Sequence, residues 1–105
     1  MKPGTFIDMT HKQQDLLLAI IKKHLPHTQV WAFGSRVTHT SSPEADMDLV
    51  VFIKPDQNTS FFDLKEALEE SDLPFRVDLL DWNKIPENFK QNIRNNYVVL
   101  QESSD

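Results

Sequence analysis

No cysteine occurs among the 105 residues, so disulfides and thiolate metal sites are both excluded. A chain without disulfide staples fits a reducing cytoplasm. Basic side chains are also short: 11 Lys and Arg stand against 16 Asp and Glu, a formal net charge of −5. Proteins that grip a nucleic-acid backbone normally present a basic face, so direct nucleic-acid binding is not expected here. A nucleotide remains compatible, because a metal ion can screen its phosphates. Long apolar runs are missing too. Met1 to Asp15 holds no uninterrupted apolar stretch of the signal-peptide kind, and no segment reaches membrane-spanning length. Neither an internal repeat nor a low-complexity tract is present. The expectation is a cytoplasmic protein with no membrane partner.

What is present suits one small α/β domain over residues 1–105, with 1–9 as a loose arm. A chain of this length buries roughly two thirds of its extended surface and folds with little to spare. Leu16, Leu17, Ile20 and Ile21 recur at one-turn spacing after Thr10, a suitable N-cap, and Pro26 closes that helix. Val30 to Phe33 reads as a strand stopped by Gly34, and Thr38 to Glu44, with Pro43, as a loop. Met47 to Ile53 is the strongest strand, with its second half apolar throughout as in a strand covered on both faces. A turn over Pro55 to Thr59 leads to a helix in which Ser60 and Asp63 resemble a capping box ahead of Phe61, Leu64 and Leu68. Phe75 to Leu80 forms a further strand, Pro86 an early helical position before Phe89 and Ile93, and Tyr97 to Leu100 a last strand. The order α-β-β-α-β-α-β predicts a small mixed sheet flanked by helices.

Three pieces of this scaffold carry chemistry. Gly34-Ser35-Arg36 follows directly on a strand, where glycine permits a sharp turn and close approach of a ligand to the main chain. Amides freed there, especially if a short helix starts at Ser35, can cradle phosphate, and Arg36 adds a planar cation. The same tripeptide also serves as an ordinary strand-ending turn. Asp46 and Asp48 flank Met47 at the mouth of the next strand and project to one side of it. Two carboxylates so close repel unless a cation lies between them, and hard carboxylate oxygens suit Mg²⁺; the alternative is a solvated acidic strand end. Glu44 shares their parity, but the preceding Pro43 argues for loop. Asp78 interrupts the apolar run Val77 to Leu80, with Arg76 on the same face as a candidate ion-pair partner. If the third strand lies beside the second, Asp78 completes a triangle with Asp46 and Asp48 that can hold two metal ions. Asp81 has the opposite parity and reads as a strand-end or capping residue.

The strings VWAFGSR, ADMDLVVFI and FRVDLLDW, in that order, resemble the minimal nucleotidyltransferase family within the DNA polymerase β-like superfamily. The likeness covers Val30 to Gln101. It implies a nucleotidyltransferase fold, Gly34 and Ser35 at the triphosphate, where the charge of Arg36 adds a third nucleotide-binding candidate, and Asp46, Asp48 and Asp78 as catalytic carboxylates and metal ligands. It further implies two Mg²⁺ ions and ATP or another nucleoside triphosphate as substrate. Small members are similar to the antitoxin halves of HEPN–MNT pairs, some of which transfer AMP to a tyrosine of a helical HEPN partner. Two positions depart from the family pattern: His39 stands where a glycine is usual, and Ala45 where a serine commonly precedes the first aspartate. They motivate a second reading, a binding module that neutralises its partner by contact alone. A metal-dependent nuclease is a third, disfavoured by the Gly-Ser turn and the acidic balance.

The remaining candidates are bland. His11, His24, His27 and His39 lack metal-site spacing and suit the surface. Trp31, Phe33 and Trp82 suit a core better than a base-stacking platform. The apolar faces of the first two long helices are wide enough to dock a partner or a second copy.

Overall fold

The computed structural model describes residues 7–40, 42 and 44–103. The loose arm expected over residues 1–9 therefore lies outside the described residues as far as residue 6. For the rest it is corrected: Ile7 is buried in the core, and Met9 packs against it.

Helix α1 (His11–His24) starts as its sequence predicts. Thr10 Oγ1 accepts the Gln13 amide at 3.1 Å, and Gln13 Oε1 accepts the Thr10 amide at 2.9 Å. Each bond satisfies a donor that the first helical turn would leave open. Lys22, Lys23 and His24 occupy the last turn, where positive charge suits the helix dipole. Strand β1 (Val30–Phe33) leads through Gly34 into a single turn of helix, α2 (Ser35–Thr38). After a loop come β2 (Met47–Val51), α3 (Asn58–Glu69), β3 (Val77–Asp81), α4 (Glu87–Asn95) and β4 (Tyr97–Gln101).

Several boundaries differ from expectation. Strand β2 stops at Val51, because the Phe52 amide turns to the Gln29 carbonyl at 3.0 Å. Ser60 caps nothing. Pro55 opens a 3₁₀ turn over Pro55–Gln57 that runs straight into α3, so the helix is under way before Ser60. Proline's fixed φ nucleates that turn early, and Gln57 Oε1 takes the Lys54 amide at 2.8 Å. Pro86 sits just outside α4, as its N-cap.

The strands form one mixed sheet in the order β3-β2-β1-β4. Strand β1 runs antiparallel to both neighbours, and β2 and β3 run parallel, joined by the α3 crossover. Helices α1 and α3 lie together on one face, where Leu17, Ile21, Leu49, Val51, Leu64 and Leu68 are buried in a common cluster. Each such aliphatic side chain contributes about 1.5–3 kcal/mol on burial. The other face carries a smaller cluster of Phe33, Val50 and Ile93, the last of these from α4. Gln101 locks the sheet to the turn after α1 by donating to the carbonyls of Leu25 and Thr28 at 2.8 and 2.7 Å. This is the α/β architecture expected, and alternation in β2 sends Asp48 to the α4 side with Val50.

Candidate active site

The site is assembled where β1, β2 and β3 meet α4. Gly34 has φ 85° and ψ −159°, a conformation that disfavours any side chain. It is also packed from above: a β-carbon at position 34 would overlap the Asp48 carboxylate. The Gly34 carbonyl then accepts the amides of Val37 and Thr38 at 3.0 and 3.1 Å and closes α2. Strand, positive-φ glycine and helical turn follow one another here without a spare residue.

Asp48 faces Phe33 across the antiparallel pair and Asp78 across the parallel one, so Asp48 and Asp78 are lateral neighbours in register. Burial pushes the Asp48 carboxyl above its ordinary value, and the charges of Asp78 and then Asp46 push it further. Asp46 itself is exposed, one residue ahead of β2. An open cleft of about 420 Å³ lies over this corner, lined by Gly34, Thr38, Asp48 and Asp78, with Asn92 of α4 and Asn96 at its C-terminal end opposite. Asp46 and Ser35 stand beside the cleft rather than in its wall. Asp78 is half exposed and so less costly than its apolar strand suggests. The ion pair with Arg76 exists but is loose, at 3.8 Å with the Arg76 side chain 73% exposed, and such pairs contribute little.

Arg36 departs from expectation. Its side chain is buried at 4% exposure and turned from the cleft. It donates from Nε to the Ala45 carbonyl at 2.9 Å and from Nη1 to the Asp8 carbonyl at 2.6 Å. Successive residues of a helix are rotated by about 100° from one another, so α2 cannot aim Ser35 and Arg36 at one ligand. A role for Arg36 in binding the nucleotide is therefore withdrawn.

Thr38, Phe89, Asn92 and Asn96 line the cleft, and none of them was expected at the site from sequence. A signal for three of them existed: Phe89, Asn92, Ile93 and Asn96 share helical spacing in the sequence, with Asn92 on the apolar face of α4 and Asn96 its C-cap. Asp81 lies outside the cleft, and its Oδ1 accepts the Asn83 amide at 2.9 Å, the capping role its parity implied. His39 is exposed at φ 61°, and Glu44 lies in an exposed turn. Trp31 stacks on Tyr97 at 4.0 Å and meets Trp82 edge-on at 5.5 Å, packing as core against Phe33 and Val50.

Among the described residues, no three His, Asp or Glu side chains gather closely enough to hold a metal ion unaided. Mg²⁺ does not require that, since it commonly takes one or two carboxylates and completes its shell with water and substrate phosphates. The donor chemistry fits: two carboxylates crowd a third whose ionisation they oppose, at a cleft that the Gly34 turn also lines.

Residues 11–105 match the family described as polymerase beta, nucleotidyltransferase, and the chain belongs to that family. It is 41% identical over 97 residues to a probable protein adenylyltransferase, MntA, of Haemophilus influenzae, covering 91% of this chain and 85% of that protein. A crystal structure of a toxin–antitoxin with AMP-PNP shares the fold at TM-score 0.67 and 20% identity, over 87% of this chain and 74% of that one. A structure of tri-AMPylated Shewanella oneidensis HEPN toxin in complex with MNT antitoxin does so at TM-score 0.61 and 19% identity, over 90% and 74%. No helix among the described residues is long and apolar enough to cross a membrane.

Proposed function

We propose that this chain transfers AMP from ATP to a hydroxyl of a helical HEPN-type partner and serves as the antitoxin of that pair in the cytoplasm. The observation that carries the reading is the in-register pairing of Asp48 and Asp78 across β2 and β3, in the wall of an open cleft that Gly34 also lines. The kinship with a probable protein adenylyltransferase supports the same chemistry and donor. The toxin–antitoxin structures of the same fold suggest the kind of partner.

In the reaction, a bond forms between the acceptor oxygen and the α-phosphorus of ATP. The α-phosphorus bond to pyrophosphate breaks, and the acceptor loses its proton. Asp78, half exposed at the cleft wall, is placed to orient the acceptor hydroxyl and take that proton. Gly34 allows the polyphosphate to approach the main chain, and Ser35 offers a hydroxyl beside it. Asp46 and Asp48, with Asp78, are the residues that would hold Mg²⁺, which supplies charge screening for the phosphates and acidifies a bound hydroxyl.

Incubation with ATP labelled at the α-phosphate, Mg²⁺ and a HEPN-type protein from the same genome should move label onto that partner. Asp48→Asn should lower transfer by at least about a hundredfold, as expected for loss of a catalytic carboxylate. Full activity in that variant rejects the assignment. The contact-only reading is decided in the same assay: an Asp46→Asn, Asp48→Asn double variant that still neutralises the partner as the parent does would replace transfer with binding.

A further inference from the structure

We infer that Arg36 is a positioning residue for the Asp46 carboxylate, acting through the main chain of Ala45. The inference deepens the proposed function and rests on Asp46 being a metal ligand.

Asp46 is held by its neighbours in the chain. On one side, the Met47 amide donates to the Arg76 carbonyl at 2.8 Å, which fixes the start of β2 against the approach to β3. On the other, the Ala45 carbonyl accepts from Arg36 Nε at 2.9 Å. Asp46 is suspended between these two anchors. Without the second, the approach to it keeps, among the described residues, the turn bond from the Ala45 amide to the Ser42 carbonyl, 3.0 Å.

Arg36 is well placed to serve as that anchor, because its own position is fixed from several directions. Its guanidinium lies over the Phe75 ring, 4.2 Å from the centroid. Nη1 reaches the Asp8 carbonyl at 2.6 Å, while the Asp8 amide returns a bond of 2.8 Å to the Arg36 carbonyl. The residue also belongs to the helical turn that begins at Ser35. One buried guanidinium therefore ties the glycine turn, the approach to Asp46, the approach to β3 and the segment ahead of α1 into a single unit. Bonds from a cation to carbonyls are stronger than neutral ones. Lysine cannot replace them, since it lacks the planar fork that serves two acceptors in different directions.

The test uses the full chain and Mn²⁺ as a spectroscopic stand-in for Mg²⁺, in the presence of a non-hydrolysable ATP analogue. Groups that orient metal ligands typically change metal affinity by about 10- to 100-fold when altered. Electron paramagnetic resonance should therefore show Arg36→Lys binding Mn²⁺ about tenfold more weakly than the parent. Its transfer activity should require correspondingly more Mg²⁺ and recover most of the parent rate at saturation. A folded Arg36→Lys, checked by circular dichroism, with parental Mn²⁺ affinity and Mg²⁺ dependence overturns the inference even if its melting temperature falls. Should Arg36→Lys fail to fold, Phe75→Leu carries the test, because it removes the ring that holds the guanidinium against the Ala45 carbonyl and so loosens the anchor while Arg36 itself is kept. A several-fold weaker Mn²⁺ affinity there supports the inference, and an unchanged one overturns it. A parent that binds Mn²⁺ but transfers no AMP removes the proposed reaction while the affinity comparison still decides Arg36.

Discussion

The carboxylate of Asp48 occupies the space that a β-carbon on Gly34 would fill. The two residues lie fourteen positions apart in the chain, and each constrains the other: Asp48 can lean over the turn only because residue 34 has no side chain. The φ of 85° at Gly34 is a second and independent reason for glycine there.

Gly34→Ala should therefore lose on both counts. An added methyl in a filled space costs about 1–3 kcal/mol, with backbone strain of similar order beside it. Urea unfolding should show the loss. AMP transfer should fall further than stability explains, since Asp48 must move. Parental stability and activity in this variant would mean that the turn relaxes freely and that the contact has no consequence.

Asp48 also gives the protein a signed dependence on pH. Burial, then Asp78, then Asp46 raise its carboxyl above the ordinary range in the folded state. A group held more tightly protonated when folded makes stability decline as pH rises from its unfolded value through its folded one. Asp48→Asn should accordingly be more stable than the parent at neutral pH, with the difference closing below about pH 4, where the unfolded carboxyl is protonated too. Mg²⁺ should stabilise the parent more than the variant. Unfolding curves at acid and neutral pH, with and without Mg²⁺, check both statements; a variant less stable at neutral pH would refute them.

His39 closes α2 in the left-handed region, φ 61° and ψ 35°, with its ring in solvent. That conformation costs an L-residue about 1 kcal/mol or more, and glycine gives part of the gain back as unfolded-state entropy. His39→Gly should raise stability by about 0.5 kcal/mol in thermal unfolding, with AMP transfer kept. A fall in stability would show that the imidazole makes a contact worth more than the strain.

Much of the architecture was legible from spacing alone, because helix faces and strand faces are local properties. Thr10 caps α1 as its side chain implies, and the odd offset of Asp81 from Asp78 separates a capping residue from a cleft residue by spacing alone. Boundaries slipped where a neighbour intervened, as when Pro55 began a turn ahead of Ser60. Arg36 misled because an arginine after Gly-Ser has the right chemistry for phosphate. Its orientation depends on the helical turn it joins and on carbonyls supplied by residues 8 and 45.

Alternation along β2 determined by itself that Asp48 shares a side with Val50, and the break at Gly34 determined where a turn must open. Only the tertiary structure decided that β3 lies parallel beside β2 with Asp78 level with Asp48, that α4 closes the cleft with Asn92 and Asn96, and that Arg36 faces inward. The division has a physical cause. Side-chain direction within an element follows from its own repeat, whereas strand order, register and the partner of a buried cation come from contacts between segments far apart in the chain, which no local spacing records.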